Sequence, residues 1–350
     1  MSTGSTATVK VMSPEEIVAR GAGGDALYFR APDRGTLFAE RAMRLRQLAS
    51  GHAMGDFLVF MADLAQAQQR ALSAGVEVPI PDGAALDRAA QRGLPPLAAA
   101  DWPRDPAWQR VLRTLVADLQ PKAPASVQAT LARLASVDDT FLERQADCLL
   151  TGVMAGLDLA AAPLVGAALQ VLWTHMVLEV QRRHTALGQP FGRLDDETVC
   201  PCCGSRPTAS IVRAVGDTPG QRHLHCSLCS MQWHMVRIKC SHCLSTKGLA
   251  YQALDTIDEA ATDDEADAGA SRAAKAAVQA ETCDECHHYL KIVHSDRDPF
   301  VDPVADDLAS LTLDLLVSET GMVRHGVNLM LLFGEPEAPP GAAPPDPGAA

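Results

Sequence analysis

The sequence predicts an α+β protein: an α-helical N-terminal domain, two tandem rubredoxin-like or zinc-ribbon modules of four cysteines each, and a C-terminal helix. Three observations carry this expectation. Four Cys-x-x-Cys pairs lie within 87 residues, at Cys200/Cys203, Cys226/Cys229, Cys240/Cys243 and Cys283/Cys286. Ahead of them, apolar residues recur at helical spacing and are mostly Ala and Leu; the chain is 47% hydrophobic but only 4% aromatic, which favours helix packing over a sheet sandwich. Among the pairs, apolar residues come instead in short β-compatible runs.

At 350 residues the chain is long enough for two domains, each with its own core. Residues 1–12 read as a flexible tail and 13–190 as the helical domain. Ser13-Pro14-Glu15-Glu16 has the form of an N-cap, a first-turn proline and acids at the positive end of a helix dipole. A helical run over 36–73 carries Leu37, Met43, Leu45 and Leu48, then Phe57, Leu58, Met61 and Leu64, with Gly51 and Gly55 as interruptions. A Pro-rich connection follows (Pro79, Pro81, Pro95-Pro96). Further helices are expected at 106–120, 126–135, 138–156 and 164–187. The most apolar stretch, about 157–180, is broken by Asp158, Pro163, Gln170, His175 and Glu179. A bilayer span needs about 20 largely apolar residues, so this stretch reads as core helix and no membrane span is expected.

From about Phe191 the character changes. Residues 191–234 read as the first rubredoxin-like module and 235–300 as the second, with β runs at 211–215, 231–238, 249–254 and 289–293 beside the cysteine turns. Two thiolates three positions apart can grip one tetrahedral ion from a tight turn, and two such turns complete a four-cysteine site. Sequential pairing of the turns is favoured over a cross-brace, because each interval holds hairpin-sized β runs. Cys202 is an extra thiol inside the first turn and reads as a bystander; Cys148 reads as a small buried apolar residue. His223, His225, His234, His242, His287 and His288 crowd the turns, but eight cysteines already fill two sites, which leaves these rings surrounding or surface roles. A tetrahedron of four thiolates suits iron or zinc, and base rates for this spacing favour zinc. Six basic residues (Arg206, Arg213, Arg222, Arg237, Lys239, Lys247) and one acid, Asp217, fall between Cys200 and Ala250. They read as charge compensation for thiolates rather than as a nucleic-acid face, because the chain carries a formal charge of −13 and no aromatic stacking row accompanies them. The segment 255–270 reads as a solvated acidic loop.

In the C-terminal helical segment, 301–334, Asp302-Pro303 looks like a cap and first turn. Val304, Leu308, Leu311 and Leu315 form a stripe, and Gly321 is a stop. Asp306 and Asp307 read as dipole complements more than as partner contacts. Residues 335–350 read as a disordered tail. The opening MSTGSTATVK has neither the charged start nor the apolar run of an export signal, so a cytoplasmic, reducing setting is expected, where thiol pairs are ligands rather than disulfides. Motifs for phosphate loops, dinucleotide binding, metalloproteases and serine hydrolases are absent, and the sequence makes no case for catalysis.

These residues resemble the formate dehydrogenase accessory protein family, FdhE. The resemblance lies in Cys-Pro-x-Cys-Gly-Ser at 200–205, Leu-His-Cys-Ser-Leu-Cys at 224–229, Trp233-His234, Val236-Arg237 and Lys239-Cys240-Ser-x-Cys243. It continues through Cys283-x-x-Cys286-x-x-Tyr289-Leu-Lys-Ile292, Asp298-Pro299 and Val304-Ala-Asp-Asp-Leu-Ala-Ser-Leu311. It implies two mononuclear iron sites, each of four cysteines, at Cys200, Cys203, Cys226, Cys229, Cys240, Cys243, Cys283 and Cys286, with zinc possible. It implies a maturation factor, not an enzyme, that binds the catalytic subunit of formate dehydrogenase in the cytoplasm before twin-arginine export. The alternatives are a tandem zinc ribbon that binds nucleic acid or another partner, and a soluble rubredoxin-like electron carrier.

Overall fold

A computed structural model describes residues 28–184, 189–213, 220–254 and 275–332. The expected N-terminal tail, the Ser13 cap, the acidic loop 255–270 and the tail 335–350 lie outside the described residues.

Seven helices come first: α1 (Leu37–Ala49), α2 (Gly55–Ala74), α3 (Gly83–Gln91), α4 (Ala107–Leu119), α5 (Ala125–Ser136), α6 (Asp139–Thr151) and α7 (Ala162–Arg183). The break between α1 and α2 falls at the expected glycines. The helix expected to reach 156 stops at Thr151, where Gly152 turns the chain. Helix α3 was hidden by its Pro-rich flanks; its start is fixed by Asp82, whose carboxylate accepts from the Ala85 N–H at 2.7 Å. Asp138 caps α6 in the same way through Phe141. Helix α7 is long and apolar enough to cross a membrane, but 83% of its apolar window is buried inside the fold. It is the central strut, packed against α2, α4 and α6. The few aromatics are spent here: Trp108 and Trp173 are fully buried, each worth on the order of 2–3 kcal/mol of apolar burial. Their indole N–H groups are satisfied by Glu143 and by the Leu97 carbonyl.

The eight strands are β1 (Phe29–Arg30), β2 (Pro207–Val212), β3 (Arg222–Cys226), β4 (Gln232–His234), β5 (Leu249–Gln252), β6 (Val278–Cys283), β7 (His288–His294) and β8 (Val323–Arg324). They make one sheet in the order β1-β4-β3-β2-β7-β6-β5, with β8 pairing the start of β7. Two antiparallel three-stranded units, β2-β3-β4 and β5-β6-β7, repeat one plan. They are fused where β2 runs parallel to β7, with Ser210 opposite Ile292. Strands β3 and β6 carry Arg222, His223, Gln279, Glu281 and Thr282 among their buried residues, so they lack the apolar run that marks a strand in sequence.

The C-terminal helix is broken into α8 (Ala305–Ala309) and α9 (Leu311–Glu319) at Ser310. The expected stripe therefore holds only as far as Leu308. Leu315 is 65% exposed, and Leu313 and Val317 face the sheet instead. Asp306 and Asp307 do lie in the first turn of α8, where acids complement the helix dipole, but they also carry ion pairs to distant elements. Both are buried: Asp306 takes a fork of bonds from Arg44 of α1, and Asp307 is held between Lys291 of β7 and Arg324 of β8. These pairs clamp the C-terminal segment onto both the first helix and the sheet.

Candidate metal centres

Each cysteine pair occupies the same position in its repeat unit. The first knuckle precedes the first strand (Cys200/Cys203 before β2, Cys240/Cys243 before β5). The second is the turn of the following hairpin (Cys226/Cys229 between β3 and β4, Cys283/Cys286 between β6 and β7). The backbone then does the same thing four times. The residue after the second cysteine is left-handed at Gly204, Ser230, Leu244 and His287, with φ of 74°, 59°, 62° and 55°. Ser230, Leu244 and His287 are the only non-glycine residues with positive φ among the described residues. That conformation costs a non-glycine residue about 1 kcal/mol, so three identical outliers mark a shape the turn requires. Gly204 meets the requirement freely. The turn closes by bonds from N–H to the first cysteine's carbonyl (Gly204 to Cys200 at 2.7 Å, Leu244 to Cys240 at 3.1 Å, His287 to Cys283 at 2.8 Å). Amide groups also point at sulfur: Leu228 and Cys229 N–H donate to Cys226 Sγ, and His242 N–H donates to Cys240 Sγ, all at 3.4 Å.

The structure brings the sulfurs together sequentially. Cys200, Cys203, Cys226 and Cys229 form one group, and Cys240, Cys243, Cys283 and Cys286 another, with ligand atoms within 4.8 Å of each other in each group. Sulfur separations are 3.5 Å for Cys200–Cys229, 3.4 Å for Cys203–Cys226 and 3.7 Å for Cys203–Cys229. In the second group they are 3.8 Å for Cys240–Cys286 and 3.7 Å for Cys243–Cys283. A disulfide would need about 2.05 Å. A tetrahedral ion about 2.3 Å from each thiolate sets the sulfurs about 3.8 Å apart. Both groups fit one ion each, and the donor set suits iron or zinc.

The two cages differ in setting. All four sulfur ligands of the first are buried within the helical core cluster. The segment before α4 pairs with its knuckle, Leu97 N–H bonding the Cys202 carbonyl and Ala99 N–H the Cys203 carbonyl. From α7, Gln170 reaches the Ser227 carbonyl at 2.8 Å and is itself held by Gln68 of α2. In the second cage Cys243 is exposed and Cys286 half-buried. Burial opposes ionisation of Cys200, yet hydrogen bonds from Cys202, Cys203, Cys226 and Cys229 outweigh it and bring this thiol well below its usual range. Burial, then bonding to Cys200, raises Cys226 and Cys229. Cys202 is fully buried in the same core cluster, where burial pushes its thiol well above the usual range, and it is not one of the four sulfurs grouped in the first cage. Cys148 is buried on α6, its thiol facing the Ala155 carbonyl.

The comparisons with known proteins agree along the chain. The model described as FdhE, N-terminal, matches residues 27–188; the FdhE central domain matches 199–237 and the FdhE C-terminal domain 238–331. A protein FdhE homolog from Edwardsiella ictaluri is 38% identical over 331 residues, covering 94% of this chain and all of that one. The chain belongs to the FdhE family. A Pseudomonas aeruginosa homolog is 39% identical over 298 residues, covering 85% of this chain and 91% of its own. The crystal structure of the FdhE protein from Pseudomonas aeruginosa superposes with a TM-score of 0.71 at 38% identity, covering 87% of this chain and 98% of that one.

Two of the basic residues near the knuckles of this FdhE-family chain pair with carboxylates. Arg222 is fully buried and pairs with Glu281 at 2.7 Å, and Lys239 pairs with Glu197 at 2.6 Å. Of the histidines, His225 is buried between Arg41 and Gln232. His242 and His288 stack face to face, and His325 packs edge-on against His242. Sequence reading missed His325, because β8 brings it from beyond α9 to the second cage and no local motif announces that return.

Proposed function

We propose that this chain is an accessory factor in the maturation of formate dehydrogenase. It binds the enzyme's catalytic subunit in the cytoplasm before twin-arginine export and acts by binding rather than as an enzyme. Each cage holds one ion through its four cysteines, iron in the cell, with zinc as the alternative occupant. The observation that carries the reading is the pair of preformed four-sulfur cages in a chain that FdhE-family models match over residues 27–188 and 199–331.

Bound iron would supply a one-electron step, whereas zinc would supply a rigid staple. The residues divide the work accordingly. In the first cage, Cys200, Cys203, Cys226 and Cys229 tie the sheet to α7 and the segment before α4, and burial excludes water. In the second, Cys243 and Cys286 present sulfur near the surface, where a partner can reach it. The nucleic-acid reading is weakened because Arg222 and Lys239 are committed to carboxylates. Replacing Cys240 and Cys243 by Ser is expected to empty the second cage, leave the helices folded and abolish formate dehydrogenase activity in cells. Full activity in that metal-depleted variant contradicts the metal-dependent role. Capture of the catalytic subunit by the full chain separates maturation from free electron carriage.

A further inference from the structure

The second cage has a neighbour that the eight cysteines do not account for. His242, Cys286 and His288 place one ligand atom each within 4.8 Å of one another. The two imidazoles lie parallel, with centroids 3.8 Å apart and planes 9° from each other. His288 Nδ1 lies 2.7 Å from the Cys286 carbonyl. An N–H donated there fixes the tautomer and leaves Nε2 with its lone pair, the arrangement metal-ligating histidines adopt. His325, buried at 5% exposure, packs edge-on to His242 with centroids 4.9 Å apart. Its Nε2 has no hydrogen-bond partner among the described residues. Strand β8 fixes this ring in place, since Val323 N–H bonds the His287 carbonyl and His325 N–H the Tyr289 carbonyl.

We propose that His242, His288 and Cys286 form a third metal position, for a divalent first-row ion such as zinc, sharing the Cys286 sulfur with the second cage. The inference rests on the reading of that cage as a metal site, because it takes one of its ligands. Four thiolates around a divalent ion carry a net double negative charge, which draws a further cation to the exposed side. Imidazole and thiolate together suit zinc and its neighbours. Three protein ligands leave a coordination position for water. Ligand spacing around a tetrahedral ion with nitrogen and sulfur donors is about 3.5 Å, and His242 is exposed. The first cage has no such neighbour among the described residues.

The test is equilibrium dialysis of the untagged full chain against micromolar zinc, with total metal, iron plus zinc, counted per chain. Three ions are expected for the wild type and two for His242→Ala/His288→Ala. Side-chain nitrogen NMR is expected to show the His242 and His288 resonances moving as the third ion binds. Two ions in the wild type, three in the double variant, or a third ion that leaves those resonances unmoved would overturn the third position. If the double variant fails to fold, His242→Ala alone and the wild-type resonances give the answer. Fewer than two ions in the wild type would instead remove the cages themselves, so the two failures are distinguishable.

Discussion

Asp307 is enclosed by Lys291, Arg324 and Asn328, and its charge is the hinge between sheet and C-terminal helix. Burial opposes ionisation, but Lys291 and Arg324 outweigh it and hold the carboxyl below the usual range. Asp307→Asn removes one of the two carboxylates that Lys291 and Arg324 share, Asp314 being the other, so the loss is expected at or below the lower end of the about 3–5 kcal/mol that breaking a buried pair costs. Urea denaturation of the variant is expected to show that loss; a change within experimental error would mean the pair is solvated. At His294, burial and then Arg297 push the pKa down to about 4, with Arg237 acting in the same direction and Asp296 against it. The folded value lies below the ordinary 6.5, so the unfolded chain takes the proton first. The contribution is therefore complete above pH 6.5 and is lost as pH falls toward about 4, by at most about 1.4 kcal/mol per unit. Stability of His294→Gln is expected to fall less steeply over that window than the wild type's, and parallel slopes would refute the assignment. None of this was legible beforehand. Asp306 and Asp307 look like helix-start acids in sequence because their partners, Arg44, Lys291 and Arg324, come from three distant elements.

Among the elements, the four knuckles were legible and three of their consequences were not. Cys-x-x-Cys spacing announces a turn, but a left-handed residue is announced only by the glycine at 204. Ser230, Leu244 and His287 adopt the same shape as Gly204 at the same place in the knuckle, and at Leu244 and His287 it closes the turn onto the first cysteine's carbonyl. Ser230→Gly should therefore stabilise the metal-loaded protein by up to about 1 kcal/mol, read as a raised melting temperature; destabilisation would show that the serine side chain matters more than its backbone. Gly326 is the opposite case. A Cβ there would meet the Thr208 carbonyl oxygen at 2.4 Å and Leu290 Cδ1 at 2.9 Å, so Gly326→Ala should lift the chain off β2 and β7 and lower stability markedly. Helices α1, α2, α4, α5, α6 and α7 could be read from the sequence, α6 with its end set too late. Strands β3 and β6 could not, because buried Arg222 and Glu281 satisfy each other and break the apolar pattern.

For the whole molecule, the helices and the sheet meet at the first cage and leave the second at the periphery. The pairing of knuckles was readable from the intervals between them, whereas the continuity of the sheet was not, since the β2–β7 pairing joins residues some eighty positions apart. Unequal burial predicts unequal release. With a chelator in excess, one ion should leave quickly and the other only as the helical core opens, slower by an order of magnitude or more. Equal rates would contradict the difference in setting. The most direct measurement is elemental analysis of freshly purified, untagged protein, dialysed free of loosely held metal, alongside Cys240→Ser/Cys243→Ser. Two ions per chain are expected for the wild type and one for the variant, with the first cage still filled. A wild-type chain that carries no stoichiometric metal, its paired sulfurs joined as disulfides, would contradict the account.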